Sequence, residues 1–101
     1  MKRKIDWSPA ARREFNKHMA YLVDRSPPAS RLVNERVQAA VEGLNAFQTG
    51  RKGRVEGTHE LYVPKTSLIV VYEFMPDGSL TILRAIHVSR DFKPGEFSSV
   101  G

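Results

Sequence analysis

From Lys2 to Trp7 the chain alternates, with Arg3, Ile5 and Trp7 on one side, and this predicts a short first strand. Ser8-Pro9 then opens a helix. A serine side chain can cap the free N–H groups of the first turn, and a proline at the first helical position gives up no hydrogen bond. Phe15, Met19, Leu22 and Val23 recur at helical spacing and predict the buried stripe, leaving Arg12, Arg13 and Lys17 to water. Arg25-Ser26-Pro27-Pro28 breaks the pattern. Because Pro28 restrains the residue before it, a second helix is expected to start at Pro28. Its apolar positions, Val33, Val37, Ala40, Val41, Leu44 and Phe47, form one continuous face, and it is expected to end near Gln48-Thr49-Gly50. Two helices joined by a short proline turn predict an antiparallel helical hairpin.

The second half changes period. After the glycine-punctuated segment Gly50 to Gly57, three β segments follow: Thr58 to Val63, Leu68 to Phe74, and Leu80 to Val88. Met75-Pro76-Asp77-Gly78 is a tight-turn signal between the last two. Both of those strands are apolar at nearly every position, which requires cover on both faces, so something besides the helices must sit on the second face. The order β-α-α-β-β-β gives an α+β fold, with the helical hairpin packed on one face of a mainly antiparallel four-stranded sheet. The first strand reaches the sheet across the hairpin, which lets it pair parallel to a later strand. The segment 93–101 has no periodicity and is expected to form a flexible tail behind a single domain.

Length and composition agree with one soluble domain: 101 residues, 41% hydrophobic and 27% charged. There is no cysteine, so neither a disulfide frame nor a thiolate metal site is available. The charged start, Met1-Lys2-Arg3-Lys4, does not resemble a secretion signal, and the longest apolar run, Leu68 to Tyr72, is far too short to span a membrane. A cytoplasmic protein is expected. The net charge of +5 favours an acidic partner, either nucleic acid or an Asp/Glu-rich protein segment. The excess lies in residues 1–57, with twelve Lys/Arg against six Asp/Glu; residues 58–101 hold four against five. It is spread over several elements rather than gathered in a stripe.

No Walker loop, dinucleotide fingerprint, nucleophile elbow or zinc-protease motif is present. Gly50, Gly53 and Gly57 stand between a helix and a strand, whereas a phosphate cradle runs from strand into helix. Of the three histidines, His18 falls beside the helical stripe and reads as a boundary residue. His59 and Glu60 are strand neighbours pointing to opposite faces, which disfavours a shared metal site. No metal or other cofactor is expected. His87 ends the last strand near Arg84 and Arg90, and has two readings. It can serve as a general base with the arginines stabilising a phosphorane, or it can simply pair with Asp91 or a backbone carbonyl. Arg51, Lys52 and Arg54 form the densest basic cluster, either a solvated loop or an anion contact. Arg84 is the odd residue in an apolar strand: either its stem alone is buried, or it marks a polar spot on an apolar groove.

Several of these segments together resemble a known family. Trp7-Ser8-Pro9-Ala10-Ala11 and Ser26-Pro27-Pro28-Ala29 are similar to the N-terminal half of ParE-type toxins of the ParE/RelE superfamily. Gly50-Arg51-Lys52-Gly53-Arg54-Val55-Glu56-Gly57-Thr58-His59-Glu60-Leu61 resembles their GR-x-GR-x-x-GT-x-EL signature. Ile69 to Glu73 and Ile82 to Asp91 resemble the strands that follow, so the likeness covers residues 5 to 92. It implies the same β-α-α-β-β-β fold and a type II toxin that poisons DNA gyrase and arrests growth without doing chemistry. It also implies neutralisation by a ParD-like antitoxin folded along an apolar groove, with DNA contacted only through the antitoxin complex. On that reading Arg51, Lys52, Arg54, Arg84 and Arg90 are the candidate contacts for antitoxin or target. Two alternatives follow from the same superfamily. A RelE-like messenger-RNA endonuclease would rely on His87, Arg84 and Arg90, although no tyrosine follows Tyr72 and Phe92 stands where a phenol would be needed. An inactive relative would only bind antitoxin and repress the shared operon.

Overall fold

The computed structural model describes residues 3–45 and 50–88. In chain order the elements are β1 (Ile5–Trp7), α1 (Pro9–Arg25), α2 (Pro27–Gly43), β2 (Arg51–Lys52), β3 (His59–Tyr62), β4 (Leu68–Phe74) and β5 (Leu80–His87). They form one sheet in the order β1-β5-β4-β3-β2. β1 runs parallel to β5, with Trp7 opposite Ile82, and the other pairings are antiparallel. The α+β architecture is the expected one, with five strands instead of four. The extra strand comes from the basic segment: Arg51 and Lys52 pair with Glu60 and His59. β1 is shorter than the alternating stretch, and Lys2 lies outside the described residues, as do Phe47, Gln48, Thr49 and the tail 93–101.

The helical hairpin turns on one residue. Ser26 ends α1 by donating its N–H to Leu22 O at 2.7 Å, and begins α2 by accepting from Ala29 N at 3.3 Å through its hydroxyl. It takes the extended conformation, so α2 starts at Pro27, one residue before the expected position. Both prolines fall in the first turn, where an N–H has no partner within the helix, so neither costs a bond. α2 ends at Gly43, earlier than expected. Leu44 and Asn45 donate back three residues, to Val41 O and Glu42 O, and this tighter turn stops the helix. It drops Leu44 fully into the core and lets the Asn45 side chain accept from Arg3 N at 3.1 Å.

The main core lies between the helices and the sheet: Val37, Val41 and Leu44 meet Leu68, Val70, Tyr72, Leu80 and Ile82. Trp7 and Phe15, with ring centroids 5.4 Å apart, pack β1 against α1. The opposite face of the sheet carries a second small cluster, Ile69, Val71 and Ile86, with Val55 and Leu83 packed on it. Val55 belongs to the glycine-punctuated segment, which therefore supplies part of the second cover. Val23, expected in the buried stripe, is instead 51% exposed. α1 is rolled so that Glu14 and His18 reach β5, which turns Val23 outward. Gly78, at φ +90°, closes the β4–β5 hairpin, where Asp77 accepts from both Ser79 N and Ser79 Oγ. Those two bonds hold the Asp77 carboxyl below its ordinary range. Among the described residues, no helix is long and apolar enough to cross a membrane.

Because Ser26 serves two helix ends, Ser26→Ala is expected to lower the unfolding free energy by about 1 kcal/mol. Urea denaturation checks this, and Ser26→Asp should recover most of the loss.

Candidate functional site

The basic cluster is organised around a buried acid. Glu60 sits on β3 with its side chain only 2% exposed. Its Oε2 accepts from Arg54 N at 2.9 Å and lies 3.4 Å from Arg54 Nε; its Oε1 lies 3.7 Å from Arg51 Nη2. Taking a carboxylate out of water is costly unless charge and hydrogen bonds replace the solvent, and here the preceding segment supplies both. Its glycines make that approach possible. A Cβ on Gly50 would fall 2.5 Å from the Tyr72 hydroxyl and 2.7 Å from Glu60 O. One on Gly53 would collide with the Thr58 side chain, and Gly57 holds φ +86°. Thr58 closes the turn: its N–H and hydroxyl both donate to Val55 O, and its carbonyl accepts from Gly53 N at 2.8 Å. Arg51 and Arg54 thus spend part of their charge inside the molecule, even though the Arg51 side chain is 74% exposed. Among the described residues Lys52 has no ion pair.

A second acid–base node joins α1 to β5. The β4–β5 register passes from Val71 opposite Arg84 to Tyr72 opposite Ile82, so Leu83 is an extra, bulged residue. The start of α1 takes up the backbone groups there. Ser8 N donates to Ile82 O at 2.8 Å, and Ser8 Oγ donates to Leu83 O at 2.9 Å. Nearly two helical turns later, Glu14 accepts from Arg84 Nε at 2.9 Å, Arg84 Nη2 at 2.6 Å and Ala85 N at 3.1 Å. This is a two-pronged guanidinium–carboxylate pair with a backbone amide added. The open question about Arg84 is thereby answered: its head is buried against an acid on the helix.

Beyond that node, His87 meets His18, with ring centroids 5.6 Å apart. They line a cavity of about 330 Å³ between α1 and the end of β5. Burial holds the His18 pKa below its ordinary value, and the neighbouring His87 lowers it further. Of the residues expected to act together, the structure brings Arg51 and Arg54 onto one carboxylate. Arg84 lies at the Glu14 node instead of the basic segment, and Arg90 lies outside the described residues. His59, as expected, does not join Glu60; it stacks on Tyr72 at 5.3 Å, edge-on to Phe74. The role of Glu14 at this node and the contact of His18 with His87 were missed from sequence. Their signal was present, since Glu14, Lys17, His18 and Tyr21 fall three and four apart and share one helix face. Among the described residues no three His, Cys, Asp or Glu gather as metal ligands.

Arg84→Met is expected to cost roughly 3 kcal/mol, because it leaves Glu14 half-buried with one backbone donor. Combining it with Glu14→Gln should recover part of that loss, a coupling of about 1–3 kcal/mol in a double-mutant cycle read by denaturation. At the other node, Arg54→Ala should cost a smaller amount, roughly 1–2 kcal/mol, since Arg51 still faces Glu60.

The comparisons with known proteins bear on the whole assembly. Residues 5–92 match the model of the family described as the ParE toxin of the type II toxin–antitoxin system, parDE. The toxin candidate Y4kP of Sinorhizobium fredii is 30% identical over 86 residues, spanning 83% of this chain and 90% of that protein. Among solved structures, the chromosomal ParDE toxin–antitoxin system from P. aeruginosa superposes with a TM-score of 0.76, covering 86% of this chain and 97% of the matched one. At 16% identity that likeness speaks for the fold alone. The glycine and arginine signature, the helical hairpin and the parallel first strand all fall within the matched span, and the chain belongs to the ParE toxin family of type II toxin–antitoxin systems.

Proposed function

We propose that this chain is a toxin that stalls replication by trapping DNA gyrase on cleaved DNA, and that a ParD-like antitoxin holds it in check. The supporting observation is the family match across residues 5–92. The arrangement of the nuclease candidates favours this reading over RNA cleavage. Arg84 gives its guanidinium to Glu14 in two hydrogen bonds, so it is not presented to a phosphate. His87 faces another histidine, and burial with like charge lowers the pKa of that neighbour. A toxin of this kind binds and does no chemistry, so it needs surface more than a reactive group. The helical hairpin offers such surface in Tyr21, Val23 and Leu32, each about half exposed.

Expression without antitoxin should arrest growth, with the DNA-damage response rising before protein synthesis falls. His87→Ala should arrest growth as the parent does. Site-specific cleavage of messenger RNA on translating ribosomes that is lost in His87→Ala would instead establish the endonuclease reading. Growth unaffected by high expression would favour an inactive antitoxin-binding relative.

The basic segment remains a contact site for antitoxin or target, and the structure changes how that is tested. Replacing Arg51, Lys52 and Arg54 together also strips the buried Glu60 of its cations. Lys52→Glu separates the two effects. It should leave the melting temperature within about a degree or two, because an exposed charge contributes roughly 0–1 kcal/mol. Association with antitoxin or target should slow, most visibly at low salt. Unchanged rates across a salt series would show that the Lys52 side chain is only solvated.

A further inference from the structure

The N-terminal half of α1 gathers charge that the fold itself does not use. Arg12, Arg13 and Lys17 lie within six residues and are all exposed, with the polar Asn16 and the small Ala20 beside them. None of the three forms an ion pair among the described residues. Glu14, the acid nearest in sequence, is held by Arg84 and Ala85 N, so its charge is matched elsewhere. The first turn of α1 holds no acid either, and the positive end of the helix dipole adds to the same sign. The exposed acids of the hairpin, Asp24, Glu35 and Glu42, make no ion pair with these cations, and Asp24 stands about two turns beyond Lys17.

This surface lacks the apolar ground that a protein segment would use. From Arg12 to Ala20 every exposed side chain is charged, polar or a single methyl, and the exposed Tyr21 and Val23 come only after it. Three cations without apolar cover fit a ligand whose contact side is all charge. The backbone of duplex DNA is such a ligand, with about one negative charge per 1.7 Å of axis. Arg13 and Lys17 are one turn apart, about 6 Å along the helix, so their heads can reach neighbouring phosphates. The arginine forks and the Asn16 amide are groups that hydrogen-bond phosphate oxygens.

We propose that the N-terminal half of α1 docks on the phosphate backbone of double-stranded DNA, with Arg12, Arg13 and Lys17 each neutralising one phosphate. The contact positions the chain on a duplex and reads no base, since all three side chains are spent on the backbone. It differs from the expected route to DNA, which runs only through the antitoxin complex. The choice of DNA over RNA rests on the gyrase reading, which puts the chain beside cleaved DNA. The contact itself is tested on naked DNA, so its failure and the failure of the growth-arrest test are separate results.

The test uses the full chain, without antitoxin or gyrase, and a short fluorescent DNA duplex whose anisotropy is followed from about 50 to 200 mM salt. Each neutralised phosphate contributes about −0.9 to the slope of log K against log salt. Three should give a slope of about −2.7, which is roughly a fortyfold loss of affinity over that range. Arg12→Gln, Arg13→Gln and Lys17→Gln should each reduce the slope by about 0.9 without changing the melting temperature. Lys65→Gln removes an exposed cation from the β3–β4 turn and should leave the slope unchanged, and two unrelated duplex sequences should bind alike. No binding at the lowest salt, or a slope untouched by the three α1 changes, would overturn the proposal. So would an equal effect of Lys65→Gln, tighter binding to an RNA duplex of the same length, or displacement by a glutamate peptide of equal charge.

Discussion

A bulge in a central strand leaves backbone groups that the sheet ladder does not pair, and in this protein the first helix is placed where it can pair them. Ser8 Oγ takes Leu83 O, and Glu14 takes Ala85 N together with the Arg84 guanidinium. Three groups on β5 thus meet two side chains, one at the N-cap of α1 and one within the helix. An apolar helix–sheet interface can slide or roll at little cost, but directed hydrogen bonds to a bulge cannot. They set the roll of α1. That roll in turn exposes Val23, brings His18 to His87, and opens the cleft between α1 and the strand end.

The glycine and arginine segment solves a different problem with the same chemistry. The second face of the sheet is apolar at Ile69 and Val71, and Glu60 stands opposite Val71 in the register. A loop that covers this face must bring cover for the carbons and compensation for the acid. Val55 supplies the first, and Arg51 and Arg54 the second. Gly50 and Gly53 let the backbone come close enough for both, since a Cβ at either would strike β3 or β4, or the Thr58 turn. The GR-x-GR-x-x-GT-x-EL pattern therefore encodes a folded cap over a buried carboxylate, which accounts for the spacing without any ligand.

Elements whose signal is local were legible in the sequence. The Ser8-Pro9 cap, the two helices, the Met75 to Gly78 turn and the last two strands each declare themselves within a few residues, and all are present, with only the ends of α2 displaced. What could not be read were consequences of pairs far apart in sequence. The fifth strand exists because Glu60 and His59 offer Arg51 and Lys52 a ladder, and nothing in residues 50–57 by themselves announces it. Glu14 looks like a surface acid until Arg84, seventy positions away, is brought against it. His18 was placed correctly at a boundary, but its neighbour across that boundary was invisible. The shift of α2 to Pro27 has a local cause that pre-proline sterics outweighed on paper: Ser26 itself adopts the extended conformation, freeing both prolines to enter the helix.

The fate of the arginines bears on how a toxin of this family presents itself to a partner. Counted along the chain, the basic excess looks densest at residues 51–54 and is reinforced at Arg84. Counted in space, Arg51, Arg54 and Arg84 each face a carboxylate of the same molecule. Charge already paired attracts a partner far less than charge facing solvent, because the field of the pair falls off as a dipole. Among the described residues, Arg12, Arg13, Lys17 and Arg25 on α1, Arg31 on α2, Lys52 on the outer strand and Lys65 are exposed instead. Four of these seven lie on α1, whose exposed apolar side chains Tyr21 and Val23 stand within two turns of Lys17. Solvent-facing charge thus stands beside exposed apolar surface on α1, while the basic segment, which holds the family's most recognisable sequence, spends Arg51 and Arg54 on the buried Glu60.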